Sequence, residues 1–380
     1  MGVAAVHDGR SSSSARGVWL VYGAGAMGAA VSTLLVEQQE VAVVLAGRNQ
    51  DRVQRLAKAT GIESRSGQAA DAAHLLDGVV GVINTAGPFR DTAAPLIHAC
   101  VRAGVHYVDV SNEADTHLEA WAVSDRARET GAGVVPGAGL GTLFGERLID
   151  ALTGAVDGPV SATLVSVPSG GATKSPGVTD SQNTIVLSRP LTLVEGRFQT
   201  VRQRVRQLPV GMGPGAALIV GTGDVVALSR SSGLQMIEVA AGVDMSPVLL
   251  RWGLPLVRAN ARRQLSRRVQ HEQRTPELER MADAPRQRLV AEVLGSDGVR
   301  VWGRLSSRSG TAVAARAAVA AMRALTHGGV AGTHTAFQIL GDHAFGDGFD
   351  PEIEITAPSR RGSARNLRRE IVDGDRAEHE

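Results

Sequence analysis

Three glycines near the start of the chain have the spacing of a turn that binds phosphate groups. Gly23, Gly25 and Gly28 follow a short apolar run, and an apolar helical segment comes directly after them. In such a unit the first glycine allows a tight turn, the second lets the backbone approach a pyrophosphate, and the third lets the helix pack closely on the strand. The N–H groups and the positive dipole at the helix N-terminus attract the phosphates. The pattern therefore predicts a dinucleotide site.

The end of the second predicted strand, residues 41–45, indicates which dinucleotide binds. A site for NAD places Asp or Glu there to bind the ribose 2′-hydroxyl, whereas Arg suits the 2′-phosphate of NADP. This chain has Arg48 followed by Asn49, and no acid at that point. The sequence therefore predicts NADP; the alternative is that Arg48 is only a solvated residue after a strand.

A group of acids and bases lies at the end of the fifth predicted strand: His106, Tyr107, Asp109 and Glu113. A nicotinamide enzyme needs a group that handles a proton beside the cofactor. Alternation along a strand places Tyr107 and Asp109 on one face and His106 on the other. Tyr107 is then predicted to donate a proton or position the substrate, with Asp109 or Glu113 orienting it. The alternative is that Tyr107 packs on the sheet and Asp109 caps the next turn.

The composition narrows the remaining chemistry. Lys58 and Lys174 are the only lysines, and Lys174, on a glycine-rich loop, is a second catalytic candidate. Residue Ser111 stands four after Tyr107, so a Tyr-x-x-x-Lys pair is absent. Cys100 is the only cysteine, which excludes an intrachain disulfide and a multi-cysteine zinc site and suits a reducing cytoplasm. No metal site is assigned.

Length and charge limit the class of protein. The 380 residues suffice for two domains, and a net charge of +2 is too small to indicate nucleic-acid binding. No run of eighteen apolar residues occurs, so a membrane span is not predicted.

Strands and helices alternate through residue 150, which predicts a doubly wound parallel sheet of Rossmann type. The predicted elements include strands at 18–22, 79–84 and 133–135 and a single helix at 118–130, and a last strand is predicted at 352–355. The loop after the fourth strand, residues 84–89, should border the cofactor because ligands bind at the carboxyl ends of parallel strands. The predicted cofactor-binding residues are Gly23, Gly25, Ala26, Met27, Gly28, Arg48, Asn49, Thr85, Ala86, Gly87, Pro88 and Phe89.

The pattern changes after residue 150. Short strands are predicted at 161–167, 218–220 and 225–229, and a β-hairpin at 288–305, which indicates an α+β domain with a mixed or antiparallel sheet. The predicted organisation is a disordered lead-in (1–17), an NADP-binding domain (18–150), an α+β domain (151–310), a mainly helical segment (311–356) and a charged tail (357–380).

These motifs together resemble the saccharopine dehydrogenase-like reductase family, which includes trans-acting enoyl reductases. The likeness covers residues 18–150 and rests on the glycine turn, Ala46-Gly47-Arg48, Asn84-Thr85-Ala86-Gly87-Pro88-Phe89, Ala99-Cys100 and His106-Tyr107-x-Asp109-x-x-x-Glu113. The resemblance implies a Rossmann domain that binds NADP and a substrate and dimerisation domain (151–310), whose mixed sheet carries the substrate pocket and the contact of a homodimer. It also implies returning helices (311–356) that pack on the first domain.

One motif departs from the family. After the sixth strand, enoyl reductases of this kind read Gly-Phe-Asp-x-x-Pro-Ser-Asp, whereas this chain reads Gly139-Leu140-Gly141-Thr142-Leu143-Phe144-Gly145-Glu146. The first Asp and the Pro are missing, and the second acid is replaced by Glu146. The fold and cofactor are unaffected by this change, but the enoyl substrate class is put in question.

Seven arginines lie between Arg251 and Arg274. Such a segment is either a solvated basic face or a docking site for an acidic partner, such as an acyl carrier protein or the phosphates of coenzyme A.

These observations predict an NADPH-dependent reductase that transfers hydride to a polarised double bond. The resemblance points first to an enoyl group of a polyketide, acyl or other natural-product intermediate, either free or bound to a carrier. Reduction of an imine or carbonyl group, as in saccharopine dehydrogenases, is the alternative. A second alternative is a protein that binds NADP without turnover.

Overall fold

The fold is that of a computed structural model. It describes residues 17–39, 41–167, 183, 185–187, 189–208, 215–266, 286–308, 310–341, 351–356 and 359–360. Lys174, Arg267, Arg268, Arg274 and most of the predicted lead-in and charged tail lie outside these residues.

Seventeen strands occur among the described residues: β1 (Val18–Tyr22), β2 (Ala42–Gly47), β3 (Glu63–Ser66), β4 (Val79–Asn84), β5 (His106–Asp109), β6 (Gly133–Val135), β7 (Pro159–Val167), β8 (Leu191–Val194), β9 (Arg197–Thr200), β10 (Val205–Gln207), β11 (Ala216–Ile219), β12 (Met236–Val243), β13 (Arg286–Gly295), β14 (Val299–Arg308), β15 (Gly332–Thr333), β16 (Glu352–Ile355) and β17 (Ser359–Arg360).

The α-helices with defined bounds are α1 (Ala26–Gln38), α2 (Gln50–Thr60), α3 (Phe89–Ala103), α4 (Ala114–Ala122), α5 (Ser124–Thr130), α6 (Leu140–Thr153), α7 (Gly223–Ser231), α8 (Pro247–Ser266), α9 (Thr311–Gly328) and α10 (Ala336–Leu340). A 3-10 helix, Ala69–Leu76, precedes β4.

The first sheet has seven parallel strands in the order β15-β6-β5-β4-β1-β2-β3. Alternate residues of β1 enter different cores: Trp19 and Val21 pack on the side of α1 and α9, whereas Leu20 and Tyr22 pack on the side of α3. Burial on both faces explains why the strands read as continuous apolar runs. The predicted doubly wound sheet is confirmed.

The second sheet is mixed, with the main order β10-β11-β12-β7-β13-β14-β16. β12 and β7 are parallel, and the other pairs along this path are antiparallel. The predicted hairpin is confirmed as β13 and β14, which pair in register from Arg286 with Arg308 to Leu294 with Arg300. The predicted α+β character of this half of the chain is therefore also confirmed.

Two predicted elements are wrong in kind or number. Residues 225–229, predicted as a strand, belong to the helix α7. Val225 to Leu228 are all buried, and a short apolar run fits a buried helix as well as a strand. The single helix predicted over residues 118–130 is two helices, α4 and α5, which meet at Val123.

The end of the described chain returns to the first sheet. α9 packs against α1, β4 and β5, and β15, which the sequence did not indicate, adds a parallel strand beside β6. The boundaries of the proposed domains stay a prediction. No helix among the described residues is long and apolar enough to cross a membrane.

Candidate active site

The glycine turn lies between β1 and α1 and is held against the loop after β4. Gly23 has a positive φ of 124°, a conformation that side chains rarely adopt. A Cβ on Gly28 would lie 1.8 Å from the carbonyl oxygen of Gly23, so only glycine allows the helix this close to the turn. A Cβ on Gly25 would meet no atom within 4 Å, which leaves that side of the turn open. The arrangement is that of a phosphate cradle.

The N-terminus of α1 presents unbonded backbone N–H groups on this open side. Gly25 is exposed, Ala26 and Met27 are half-buried, and no side chain caps the helix. The first turn contains no acidic residue, so nothing there opposes an approaching phosphate.

Arg48 and Asn49 follow β2 at the same edge of the sheet, and both are exposed. The Oδ1 atom of Asn49 accepts a hydrogen bond from the backbone N–H of Arg52 at 3.0 Å, so this side chain caps α2. Burial raises the pKa of the Tyr22 phenol, and Arg48 is close enough to oppose that rise. Arg48 is thus the exposed cation beside the glycine turn.

The loop after β4 is tied to β1. The backbone N–H of Thr85 donates to the carbonyl of Tyr22 at 2.8 Å, and its hydroxyl donates to the same oxygen at 3.1 Å. Beyond it Ala86 and Pro88 are half-buried, Gly87 is exposed and Phe89 is buried at the start of α3. The exposed backbone near Gly87 is therefore the part of this loop that a ligand can reach.

A buried hydrogen-bond network joins the loops after β4, β5 and β6. The Tyr107 hydroxyl donates to Asp109 Oδ2 at 2.9 Å and accepts from Asn84 Nδ2 at 3.0 Å. Asp109 Oδ1 accepts from the Ser111 backbone and hydroxyl, at 2.9 and 2.7 Å, and from the Gly137 N–H at 2.8 Å. We call this set the Asp109 network; it comprises Asn84, Thr92, Tyr107, Asp109, Ser111 and Gly137.

The network places Tyr107 and Asp109 away from solvent, since both side chains are fully buried. Burial, reinforced by the Asp109 carboxylate, raises the pKa of Tyr107 well above its usual value. Glu113 differs because it is half-buried at the start of α4, and one of its carboxylate oxygens accepts from the Asn112 N–H at 3.2 Å. Of Tyr107, Asp109 and Glu113, Glu113 is thus the most accessible to a substrate.

A second polar group connects this edge to the other sheet through α7. Asp224 accepts hydrogen bonds from Thr142 at 3.0 Å and from Thr222 at 2.7 Å, and it is buried. Thr222 also forms an isolated bridge with Glu113, which brings the end of β11 against the start of α4. We call Asp224, Thr142, Thr222, His117 and Glu146 the Asp224 cluster.

His117 lies in this cluster between two glycines. A Cβ on Gly137 would lie 2.4 Å from its Nε2 atom, and a Cβ on Gly223 would lie 2.3 Å from it. Neither ring nitrogen makes a hydrogen bond of normal geometry within the part of the chain that the structure describes, although the Ser111 backbone is close enough to raise the pKa of the ring. Burial lowers the pKa of His117, and the nearby carboxylates of Asp109 and Asp224 oppose that effect. The ring therefore fills the gap between two loops.

Glu146 lies on α6 at the position where the resembled family has an acid. Its side chain is buried, and its carboxyl oxygens lack hydrogen bonds of normal geometry among the described residues. Burial raises the pKa of Glu146 to about 7, although the side chains of Ser231 and Thr335 partly offset this rise. A carboxyl group with such a pKa exchanges its proton near neutral pH.

Sequence reasoning missed several of these residues. Asn84 and Ser111 were named only as parts of motifs, whereas their side chains hold the Asp109 network. His117 and Asp224 had no local signal, because their partners lie on other elements; Thr142 and Asp224 are 82 residues apart in sequence.

The fold and site define the class of protein. A parallel sheet with strands in the order 3-2-1-4-5-6, a glycine turn after the first strand and an arginine after the second is the arrangement of a dinucleotide-dependent oxidoreductase. Residues 19–135 match the family model of the saccharopine dehydrogenase NADP-binding domain. Residues 19–135 thus form an NADP-binding domain of the saccharopine dehydrogenase type, and the protein is an NADP-dependent oxidoreductase, with the cofactor that the sequence predicted.

A solved structure shows the same fold. A saccharopine dehydrogenase (L-Glu forming) from Saccharomyces cerevisiae is similar at 13% identity and a TM-score of 0.55, over 90% of this chain and 100% of that chain. A myo-inositol dehydrogenase from Corynebacterium glutamicum also matches at 13% identity, with a TM-score of 0.42, over 82% of this chain and 89% of that chain. No curated protein matches this chain.

Proposed function

We propose that the protein transfers hydride from NADPH to a polarised double bond, with the reaction at the carboxyl edge of the first sheet. The supporting observation is that the glycine turn, Arg48 and the half-buried Glu113 all lie at this edge. In this proposal α1 and Gly25 hold the pyrophosphate and Arg48 pairs with the 2′-phosphate. The backbone near Gly87 borders the nicotinamide half of the cofactor.

The proposed roles of the acids follow from their exposure. Glu113 handles the proton at the substrate because it is accessible, and Tyr107 and Asp109 keep the loops after β4, β5 and β6 in place. The phenol of Tyr107 is an unsuitable donor to a substrate, since its proton is already committed to Asp109.

Two substrate classes fit this site. Reduction of an imine is favoured by the half-buried carboxylate of Glu113, because a nearby carboxylate stabilises a cationic iminium before hydride arrives. Reduction of an enoyl group on an acyl or natural-product intermediate is supported by the resemblance of the motifs alone. The imine class is therefore the one that the geometry favours.

The cofactor assignment is tested by titrating the protein with NADPH and NADH and following the nicotinamide fluorescence. Arg48→Ala is expected to weaken NADPH binding by about 10- to 100-fold and to leave NADH binding unchanged, because only NADPH has the phosphate. Arg55→Ala, an exposed arginine on the adjacent α2, is the matched control. An NADPH affinity equal to that of the parent in the Arg48 variant would show that this residue does not bind the 2′-phosphate.

Turnover is tested separately, by following NADPH oxidation with cyclic and acyclic imines and with enoyl thioesters. Glu113→Gln is expected to lower kcat for the accepted substrate while NADPH still binds. Oxidation with enoyl thioesters alone would favour the enoyl class. Binding without oxidation of any compound in either class would favour an NADP-binding protein that does not turn over.

A further inference from the structure

The helix α8 has two apolar faces, and one of them points to solvent. Leu250 and Ala261 are buried where α8 packs on β10 and β11. Val248, Trp252 and Leu256 are spaced four residues apart, so they lie in a row, two residues out of phase with the buried side. Trp252 is 83% exposed and Leu256 is 75% exposed. Large apolar side chains exposed in such a row mark an interaction surface.

The charges on α8 are all of one sign. The helix contains no Asp or Glu, and Arg251, Arg262 and Arg263 are exposed beside the apolar row. Arg258 differs in burial: it is half-buried, and its guanidinium donates to the carbonyl of Leu187 at 3.2 Å. The outward face therefore combines a central tryptophan, aliphatic side chains and flanking arginines. We call this face the Trp252 ridge; it comprises Val248, Leu249, Arg251, Trp252, Leu256, Arg262 and Arg263.

The shape and charge of the Trp252 ridge limit what can cover it. The inner side of α8 is already packed on the sheet, so a partner meets a convex ridge and cannot enclose the helix in a groove. In a symmetric pair of copies the same arginines would face one another across a short distance, which is unfavourable. A flat anionic surface avoids both difficulties. Tryptophan and arginine together are typical of helices that lie in the interface of a bilayer.

We propose that the Trp252 ridge docks this protein on the surface of a bilayer that contains anionic phospholipids. The apolar row enters the boundary between headgroups and acyl chains, and the arginines pair with lipid phosphates. This inference is independent of the reaction proposed above.

The test uses vesicles of phosphatidylcholine with and without phosphatidylglycerol, in flotation assays and in tryptophan fluorescence. Trp19 is buried and Trp121 and Trp302 are partly buried, so Trp252 is the tryptophan most open to a change of surroundings. The expected result is binding to the anionic vesicles, a blue shift of the emission and quenching by brominated acyl chains. Binding should weaken as salt is added, because exposed charges are screened.

Two variants separate the apolar and the ionic parts. Trp252→Ser combined with Leu256→Ser is expected to lower the vesicle partition coefficient about tenfold or more, since it removes the apolar anchor. Arg251→Glu combined with Arg262→Glu should abolish the preference for anionic lipid. Ile355→Ser and Arg55→Glu, both at exposed positions, are the matched controls. NADPH titration of every variant reports whether the fold is intact.

Three results would overturn the proposal. The first is a folded protein that does not float with anionic vesicles at low salt, or whose double serine variant floats as well as the parent. The second is sedimentation showing a dimer that the serine variant loses, which would assign the ridge to a second copy. The third is a Trp252-dependent complex with an acidic acyl carrier protein in the absence of any vesicle binding.

Discussion

The two buried polar groups at the candidate site differ in how fully their atoms are bonded. In the Asp109 network, one carboxylate accepts four hydrogen bonds, and the tyrosine and asparagine are also paired. In the Asp224 cluster, the carboxylate of Asp224 is paired, whereas His117 and Glu146 have no hydrogen bonds of normal geometry among the described residues.

This difference indicates different roles. A fully bonded buried network rigidifies the structure around it, and the Asp109 network does so for the loops after β4, β5 and β6. Buried polar atoms without partners cost stability and are unusual unless they serve a function. The contrast suggests that the Asp109 network holds the loops of the site in place, and that the Asp224 cluster contains the side chains whose protonation changes with pH.

The largest effect is expected from Asp109→Ala. The change leaves the donors of Tyr107, Ser111 and Gly137 buried without an acceptor, so the free energy of unfolding should fall by about 4 kcal/mol. Urea denaturation measures this change. Asp125→Ala is the control, because Asp125 is 92% exposed in a surface ion pair and should cost less than about 0.5 kcal/mol. A loss below about 1 kcal/mol at Asp109 would remove the basis for calling the network structural.

The next largest effect concerns the pH dependence caused by Glu146. Its pKa is raised from 4.5 to about 7 in the folded protein, so the folded state binds the proton more tightly than the unfolded state does. The stability that this group contributes is complete below pH 4.5 and is lost as pH rises through 7. Relative to Glu146→Gln, the parent should therefore lose about 3 kcal/mol between pH 4 and pH 8.

Urea denaturation of the parent and the Glu146→Gln variant across this pH range measures the effect. The glutamine variant cannot ionise, so the difference between the two free energies should grow with pH. A constant difference would show that Glu146 keeps an ordinary pKa and would weaken the contrast between the two groups.

The smallest effect is expected from Tyr107→Phe. Removing the hydroxyl deprives Asp109 of one donor and Asn84 of one acceptor, at a cost of about 2 kcal/mol. Tyr22→Phe is a matched control, because its hydroxyl makes one longer bond, 3.3 Å, to the carbonyl of Gly67. NADPH oxidation by Tyr107→Phe should continue if the residue only positions the loops. Loss of kcat with unchanged stability would restore Tyr107 as the proton donor.

Local patterns predicted much of the fold. β1, β4, β6 and β16 have the bounds that their apolar or alternating runs indicated, and the hairpin β13–β14 lies where its turn residues placed it. The prediction failed at α7, where a run of five residues carried no period that separates a strand from a buried helix. β15, with two residues, is too short to leave any pattern.

The residues of the candidate site also fall into those that the sequence indicated and those that it did not. The positions of the glycine turn and Arg48 could be predicted, because these residues lie close together in sequence within one strand-turn-helix unit and its next strand. The role of Asp109 could not be predicted, because its carboxylate bonds to Gly137 on another loop, and burial rather than sequence decides whether Tyr107 can meet a substrate.

By itself, the sequence determined the parallel sheet, the glycine turn and the NADP-binding type of the first domain, since these depend on periodicity and on residues close together in the chain. The tertiary structure decided which acids are buried, which polar atoms are paired, and that Trp252 faces outward although its helix is apolar on both sides. Burial and pairing arise from contacts between distant segments, and no local pattern encodes them.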